Sequence, residues 1–259
     1  LDRAVSDGVD LTADTYPYSC GSTMPVCRFP GWFVEGGAQA IKRRLSDPKQ
    51  RRRVIKFLEE THGTTLGHAL WTYIGSNQNR NLEGMSWADA ATARGTSVAE
   101  MMCDILLEED LECGLAVLPP KNVAISQQIE SDVMRLLERN DYMVGSDSIP
   151  IGSFPHPRAF GTFPRILGRL RRRHDYPIEQ LIQRMTENPA RRFGITGRGV
   201  IKPGNFADLV VFDESRIDDR ATFEDPRATA VGIKHVTVNG QLSLTNGKCT
   251  GALAGEAVP

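Results

Sequence analysis

The stretch Tyr142-Met143-Val144-Gly145-Ser146-Asp147-Ser148 decides the fold. A short, largely apolar run passes directly into Gly-Ser-Asp, which reads as a buried strand opening into a turn that carries a carboxylate. Just upstream, Ile125, Ile129, Val133, Leu136 and Leu137 recur at helical spacing, and residues 115–118 before them are apolar. Strand, helix, strand in this order is what a parallel α/β arrangement requires.

Working outward, Val9-Asp10-Leu11-Thr12-Ala13-Asp14-Thr15-Tyr16 alternates and stops at Pro17, as a strand does when it opens into a loop, here Tyr18-Ser19-Cys20-Gly21-Ser22-Thr23. Residues 1–8 read as the end of a helix closed by Gly8. Between the two strands lies a helix-rich middle. Ile41, Leu45, Val54, Ile55 and Leu58 fall on helical faces, and Asp47-Pro48 divides two helices. Residues 65–76 read as a strand. Ser86 with Asp89 and Ser97 with Glu100 each have capping-box spacing, the first helix stopping at Gly95 and the second putting Met101, Met102, Ile105 and Leu106 on its core face. Beyond Asp147, four prolines between 150 and 164 predict a rigid loop through residue 165, and a helix starts near Pro177. In the tail, residues 207–213 form a strand, and Asn239-Gly240 joins His235-Val236-Thr237-Val238 to Gln241-Leu242-Ser243-Leu244 as a hairpin, together a small antiparallel β unit.

Composition narrows the function classes. A net charge of -1, from 31 basic and 32 acidic residues, supplies no global field for nucleic acid or an anionic membrane. The basic runs at 49–53 and 169–174 sit on predicted helices and read as solvated faces. Five cysteines at 20, 27, 103, 113 and 249 lack CxxC spacing, which suits reduced thiols and a cytoplasmic protein. No apolar run approaches 18 residues, so no membrane partner is expected. The first residue is Leu, which processing or truncation would explain.

Asp147 is the leading chemical candidate. A carboxylate at the C-terminal end of a barrel strand can accept a proton from an activated water and return it to a leaving nitrogen, although Asp also organises plain turns. The segment 156–165 brings His156, Arg158 and Arg165 close behind it. Either arginine could grip a substrate carboxylate with its planar fork, or stack on Phe160 or Phe163. Tyr16 and Ser22 offer hydroxyls beyond the other strand end, or serve as a buried tyrosine and a turn serine. There is no GxGxxG, P-loop or GxSxG motif, and His62, His68, His174 and His235 are scattered.

Together these segments resemble a known family. Asp14-x-Tyr16-Pro17-Tyr18 followed by Gly21-Ser22-Thr23, the Gly145-Ser146-Asp147 turn, and His156-Pro157-Arg158-x-x-Gly161-Thr162-Phe163-Pro164-Arg165 are similar to the N-acyl-D-amino-acid deacylase (D-aminoacylase) branch of the amidohydrolases. So are Met185-Thr186-x-x-Pro189-Ala190-x-Arg192 and the block from Gly199 to Asp213. The resemblance implies an α/β fold: the C-terminal portion of a metal-dependent (β/α)8 amidohydrolase barrel over residues 1–195, with an inserted helical segment at about 24–110, and an antiparallel β-sandwich tail over 196–259. It implies zinc and hydrolysis of the N-acyl amide of small N-acyl-D-amino acids. Asp147 would be the proton shuttle and a candidate metal ligand, Arg158 would hold the substrate carboxylate, and Tyr16 and Ser22 would line the pocket. The family's His-x-His pair, bridging Cys and two later His precede the first strand of this chain. The expectation is therefore a fragment with about two of eight barrel strands, inactive without the N-terminal half that carries the main metal ligands. A catalytically inactive binding module and a dihydropyrimidinase-like cyclic amidase are the alternatives.

Overall fold

The structure is a computed structural model that describes residues 1–258. Its strands are β1 (Ala13–Thr15), β2 (Ser22–Thr23), β3 (Ala69–Ile74), β4 (Cys113–Val117), β5 (Tyr142–Val144), β6 (Leu209–Phe212), β7 (Ile233–Val238), β8 (Gln241–Thr245) and β9 (Lys248–Cys249). They form three separate sheets.

The first sheet joins the two strands that end in Tyr16-Pro17 and in Gly145-Ser146-Asp147. β1 and β5 are parallel, with Ala13 opposite Tyr142 and Thr15 opposite Val144. The Gly145 N–H continues the ladder to the Thr15 carbonyl at 3.1 Å. A Cβ on Gly145 would lie 2.7 Å from the Asp14 carboxylate, so a larger residue there would have to displace that exposed side chain. The helix Val123–Leu137 packs behind β5, burying Val133, Met134 and Leu137 with Val144, Ile166, Leu170 and Leu181.

The region between these strands has its own core. Asp47 caps the helix Pro48–His62 by accepting from the Gln50 N–H at 2.7 Å. Ser86 caps Trp87–Arg94, which ends on Gly95 at φ +66°, and Ser97 with Glu100 completes a capping box on Val98–Glu108. Met101 and Met102 are fully buried, and the Trp71 and Trp87 rings meet at 4.8 Å. The parallel strand–helix–strand reading fails at one place. β4 does not join β5; it runs antiparallel between β2 and β3. The side chains explain why: Trp71 and Leu115 are paired across β3 and β4, and both are fully buried in the middle region's cluster. With both edges of β4 occupied, none is left for β5.

Residues 158–165 are the second correction. They form a helix, Arg158–Arg165, and not a loop. Pro157 enters it with φ -53°, already helical, and Pro164 falls at its far end. The chain continues through a wide π-turn, Ile166–Leu170, kinked at Gly168, into Arg171–His174. The arginines there are not a free solvated face. Arg169 pairs with Asp218 and Asp219, Arg172 with Asp218, Arg171 with Glu214, and Arg173 with Glu130.

The tail forms a single antiparallel sheet in the order β6-β7-β8-β9, turning at Asn239-Gly240 with both φ angles positive. One layer is present where a sandwich was expected. Val210, Val211 and Leu242 are exposed on it. No helix among the described residues is long and apolar enough to cross a membrane.

The kink at Gly168 yields a stability prediction. A Cβ on Gly168 would collide with the Ile217 carbonyl, where the tail crosses the helix. Gly168→Ala should therefore destabilise the chain by about 1–3 kcal/mol, read as a lower urea midpoint at unchanged slope. A midpoint equal to that of the parent would refute the close approach.

Candidate functional site

The site forms where β1 and β5 end side by side. Asp147 sits three residues beyond β5 in the left-handed region, φ +45°. That carboxylate is 63% exposed and lies 2.8 Å from Nη2 of Arg158, whose side chain is only 1% exposed. The Arg158 guanidinium also donates from Nη2 to the Ser22 carbonyl at 3.0 Å and stacks over the Tyr16 ring at 4.7 Å. Its Nε is buried and has no partner among the described residues. Asp147, Arg158 and Tyr16 therefore come together.

Ser22 joins them differently. Its backbone carbonyl meets Arg158, while its hydroxyl donates to the Leu115 carbonyl at 2.7 Å. The hydroxyl thus fixes β2 to β4. Gly21 is a close neighbour, where a Cβ would meet the Tyr16 hydroxyl at 3.1 Å and Arg158 Nη1 at 3.5 Å. Arg165 lies apart, stacked on Tyr18 and paired with Glu130 and Asp219. Neither Arg158 nor Arg165 stacks on Phe160 or Phe163; it is Arg227 that lies over Phe160.

One residue of the site went unassigned in the sequence. His156 is 2% exposed, with Tyr18 and Phe223 rings edge-on at 5.2 and 5.1 Å. Its Nδ1 accepts the Arg158 backbone N–H at 3.1 Å, capping the helix on which Arg158 is the first residue. Nδ1 is therefore unprotonated, and the proton on Nε2 faces the Cys20 sulfur at 3.5 Å. Burial, reinforced by the Arg158 charge, pushes the imidazole down to about 3, and burial pushes the Cys20 thiol up to about 11. The pair is neutral, which fits a support and not a nucleophile. The signal available in the sequence was the Pro that follows His156, since it holds the preceding residue extended and lets its ring fold back onto the helix start.

The segment carrying Asp147 into Arg158 is pinned from outside. Glu83 accepts from the Ile74 N–H at 2.9 Å and from the Ser153 N–H at 2.8 Å, and Arg227 donates to the Pro150 and Gly152 carbonyls. Among the described residues, no group of three or more His, Cys, Asp or Glu side chains could hold a metal ion. The described residues do not make a zinc site by themselves.

Two parallel strands with a carboxylate and a buried arginine at their C-terminal ends are features of a barrel hydrolase. Residues 73–243 match the amidohydrolase family, and the chain belongs to it. It is 43% identical over 142 residues to a D-aminoacylase of Alcaligenes xylosoxydans xylosoxydans, covering 54% of this chain and 29% of that protein. With an N-acyl-D-glutamate deacylase of the same organism it shares 31% identity over 93% of its length and 40% of the relative's. A solved N-acyl-D-glutamate deacylase from Bordetella bronchiseptica, complexed with zinc and a phosphonate inhibitor, superposes with a TM-score of 0.67 at 30% identity, covering 98% of this chain and 44% of that one. The chain thus spans less than half the length of these relatives, and the resemblance to the C-terminal part of an N-acyl-D-amino-acid deacylase holds.

The lowered His156 value sets a pH dependence. A folded value below the unfolded one of about 6.5 means that the unfolded chain binds the extra proton. The stabilising contribution of neutral His156 is therefore complete above about pH 6.5 and is lost as pH falls towards 3. Urea unfolding from pH 7.5 to 4 should fall more steeply for the parent chain than for His156→Gln. Parallel curves would show that His156 titrates normally.

Proposed function

We propose that this chain forms the substrate-carboxylate end of an N-acyl-D-amino-acid deacylase, with residues 1–195 as its part of the barrel and 196–259 as the tail. The observation that carries the reading is the 2.8 Å pair between an exposed Asp147 carboxylate and the buried Arg158 at the strand ends. The D-aminoacylase and N-acyl-D-glutamate deacylase relatives support the substrate class.

The arrangement suits two roles that depend on one another. Arg158, held against Tyr16 and the Ser22 carbonyl, presents a fixed cation to the carboxylate of an amino acid. That carboxylate competes with Asp147 for the same guanidinium. As the substrate binds, Asp147 loses its partner and becomes free to take a proton from the attacking water and deliver it to the amide nitrogen. Substrate binding thereby arms the base. Tyr16 walls the amino-acid end.

Zinc is the cofactor that the zinc-bound deacylase neighbour supports, and it would polarise the scissile carbonyl and lower the pKa of water. Asp147 is the carboxylate of this chain at the right strand end, and the remaining ligands would come from barrel strands outside the described residues. We infer that the chain alone neither turns over substrate nor binds zinc tightly. The lack of a three-ligand group among the described residues also favours a second reading, a binding module that keeps the carboxylate pocket without catalysis.

The test is hydrolysis of an N-acetyl-D-amino acid against its L enantiomer, with the barrel completed by its remaining strands and with this chain alone. Turnover of the D form only in the completed barrel supports the deacylase, and none in either supports the binding module. Asp147→Asn should then lower kcat by roughly a hundredfold or more without weakening substrate binding, because it removes both the shuttle and the competitor for Arg158. Arg158→Lys should mainly raise KM. Near-normal kcat in Asp147→Asn would end the mechanism.

A further inference from the structure

We propose that the cavity on the far side of the Tyr18-Ser19-Cys20 wall is a second binding site, one that takes a small organic carboxylate. It measures about 480 Å³, large enough for a compact ligand, and lies between this loop, the helix Val123–Leu137, Arg165 and the tail segment 220–224. Arg158 and Asp147 do not line it.

The polar groups around the cavity differ in whether they are already satisfied. The inner carboxylates are committed. Glu130 accepts from Arg165 at 2.5 Å and from Arg173 at 2.6 Å, and the fully buried Asp219, just behind the wall, is held by Arg165 and Arg169. What remains is a surplus of donors. Arg220 is exposed at the cavity and makes no ion pair among the described residues. The Tyr18 hydroxyl, which lies beside Asp219, and Arg165 Nε are fully buried and are not among these donors. Ser19 and Ser126 share one hydrogen bond at 3.2 Å, which leaves one hydroxyl hydrogen over. The Thr222 oxygen accepts from the Glu224 and Asp225 N–H groups, so its own hydrogen is free to donate. Glu224 is an exposed carboxylate at the rim.

Unpaired donors in a concave site call for a ligand rich in acceptors, and an unpaired arginine selects an anionic one. The lining also carries apolar groups, Phe223, Pro119, Pro157 and Ala221. A carboxylate with a short apolar body matches both kinds of lining; inorganic phosphate matches only the donors. Arg220 would supply the charge, and the Ser19–Ser126 pair and Thr222 the further hydrogen bonds.

The experiment is titration of sodium benzoate into the protein by calorimetry. Saturable one-to-one binding is expected, weakened about tenfold in Arg220→Ala and largely kept in Arg158→Lys. Arg220→Lys, which retains the charge, should restore part of the affinity. The site is refuted if benzoate does not saturate, if Arg220→Ala binds as the parent does, or if phosphate binds more tightly than benzoate through Arg220. Benzoate binding lost in Arg158→Lys and kept in Arg220→Ala would likewise refute it. That pattern would place the carboxylate on Arg158, in agreement with the deacylase reading, so the two proposals fail separately.

Discussion

A guanidinium that is 1% exposed persists only because its surroundings replace the water it has lost, and the site is built around meeting that demand for Arg158. The Asp147 carboxylate, the Ser22 carbonyl and the Tyr16 ring meet it in part, with Nε unpartnered among the described residues, while His156 holds the Arg158 backbone N–H. Each comes from a different part of the chain. Tyr16 follows β1, Ser22 is in β2, Asp147 follows β5, and His156 opens the helix Arg158–Arg165. All four reach Arg158 only in the folded chain. The parallel pairing of β1 with β5 across more than a hundred residues is what allows this.

Much of this was legible in the sequence because it is local. The capping residues Asp47, Ser86 and Ser97 and the Asn239-Gly240 turn all act within a few residues of themselves, and each appears where the spacing put it. That Tyr16 and Asp147 follow strand ends was legible from turn composition, whereas the roles given to them and to Arg158 are proposals that rest on the family resemblance. What went unread was non-local. Nothing in residues 113–117 says that they pair with 69–74 instead of 142–144, because an apolar strand looks the same in either sheet. The choice was made by Trp71 and Leu115 burying each other. Pro-rich residues 150–165 misled for a related reason. A proline marks a loop by default, yet at a helix entrance its fixed φ favours the helix, and only the neighbours reveal which applies.

The arginine run 169–173 makes the same point about charge. In isolation it is a solvated face. In the fold it holds the tail, because Asp218, Asp219 and Glu214 lie in the segment that crosses the kink at Gly168. Pairs this exposed contribute little individually, but Asp219 is fully buried and is satisfied by two arginines at once. That segment also delivers Phe223 to His156 and Arg227 to the Pro150 and Gly152 carbonyls. The tail therefore bears on the Asp147–Arg158 connection even though its sheet lies elsewhere.

The loop 16–23 is the wall common to both sides. Tyr16 and the Ser22 carbonyl face Arg158, while Tyr18, Ser19 and Cys20 face the cavity beyond. His156 stands between them, touching Tyr18 and Cys20 on one side and the Arg158 N–H on the other. The neutrality of His156 matters here as well. A charged imidazole would repel the Arg158 guanidinium and could no longer accept the N–H that starts its helix, so the same burial that keeps it uncharged keeps both faces of the wall in register.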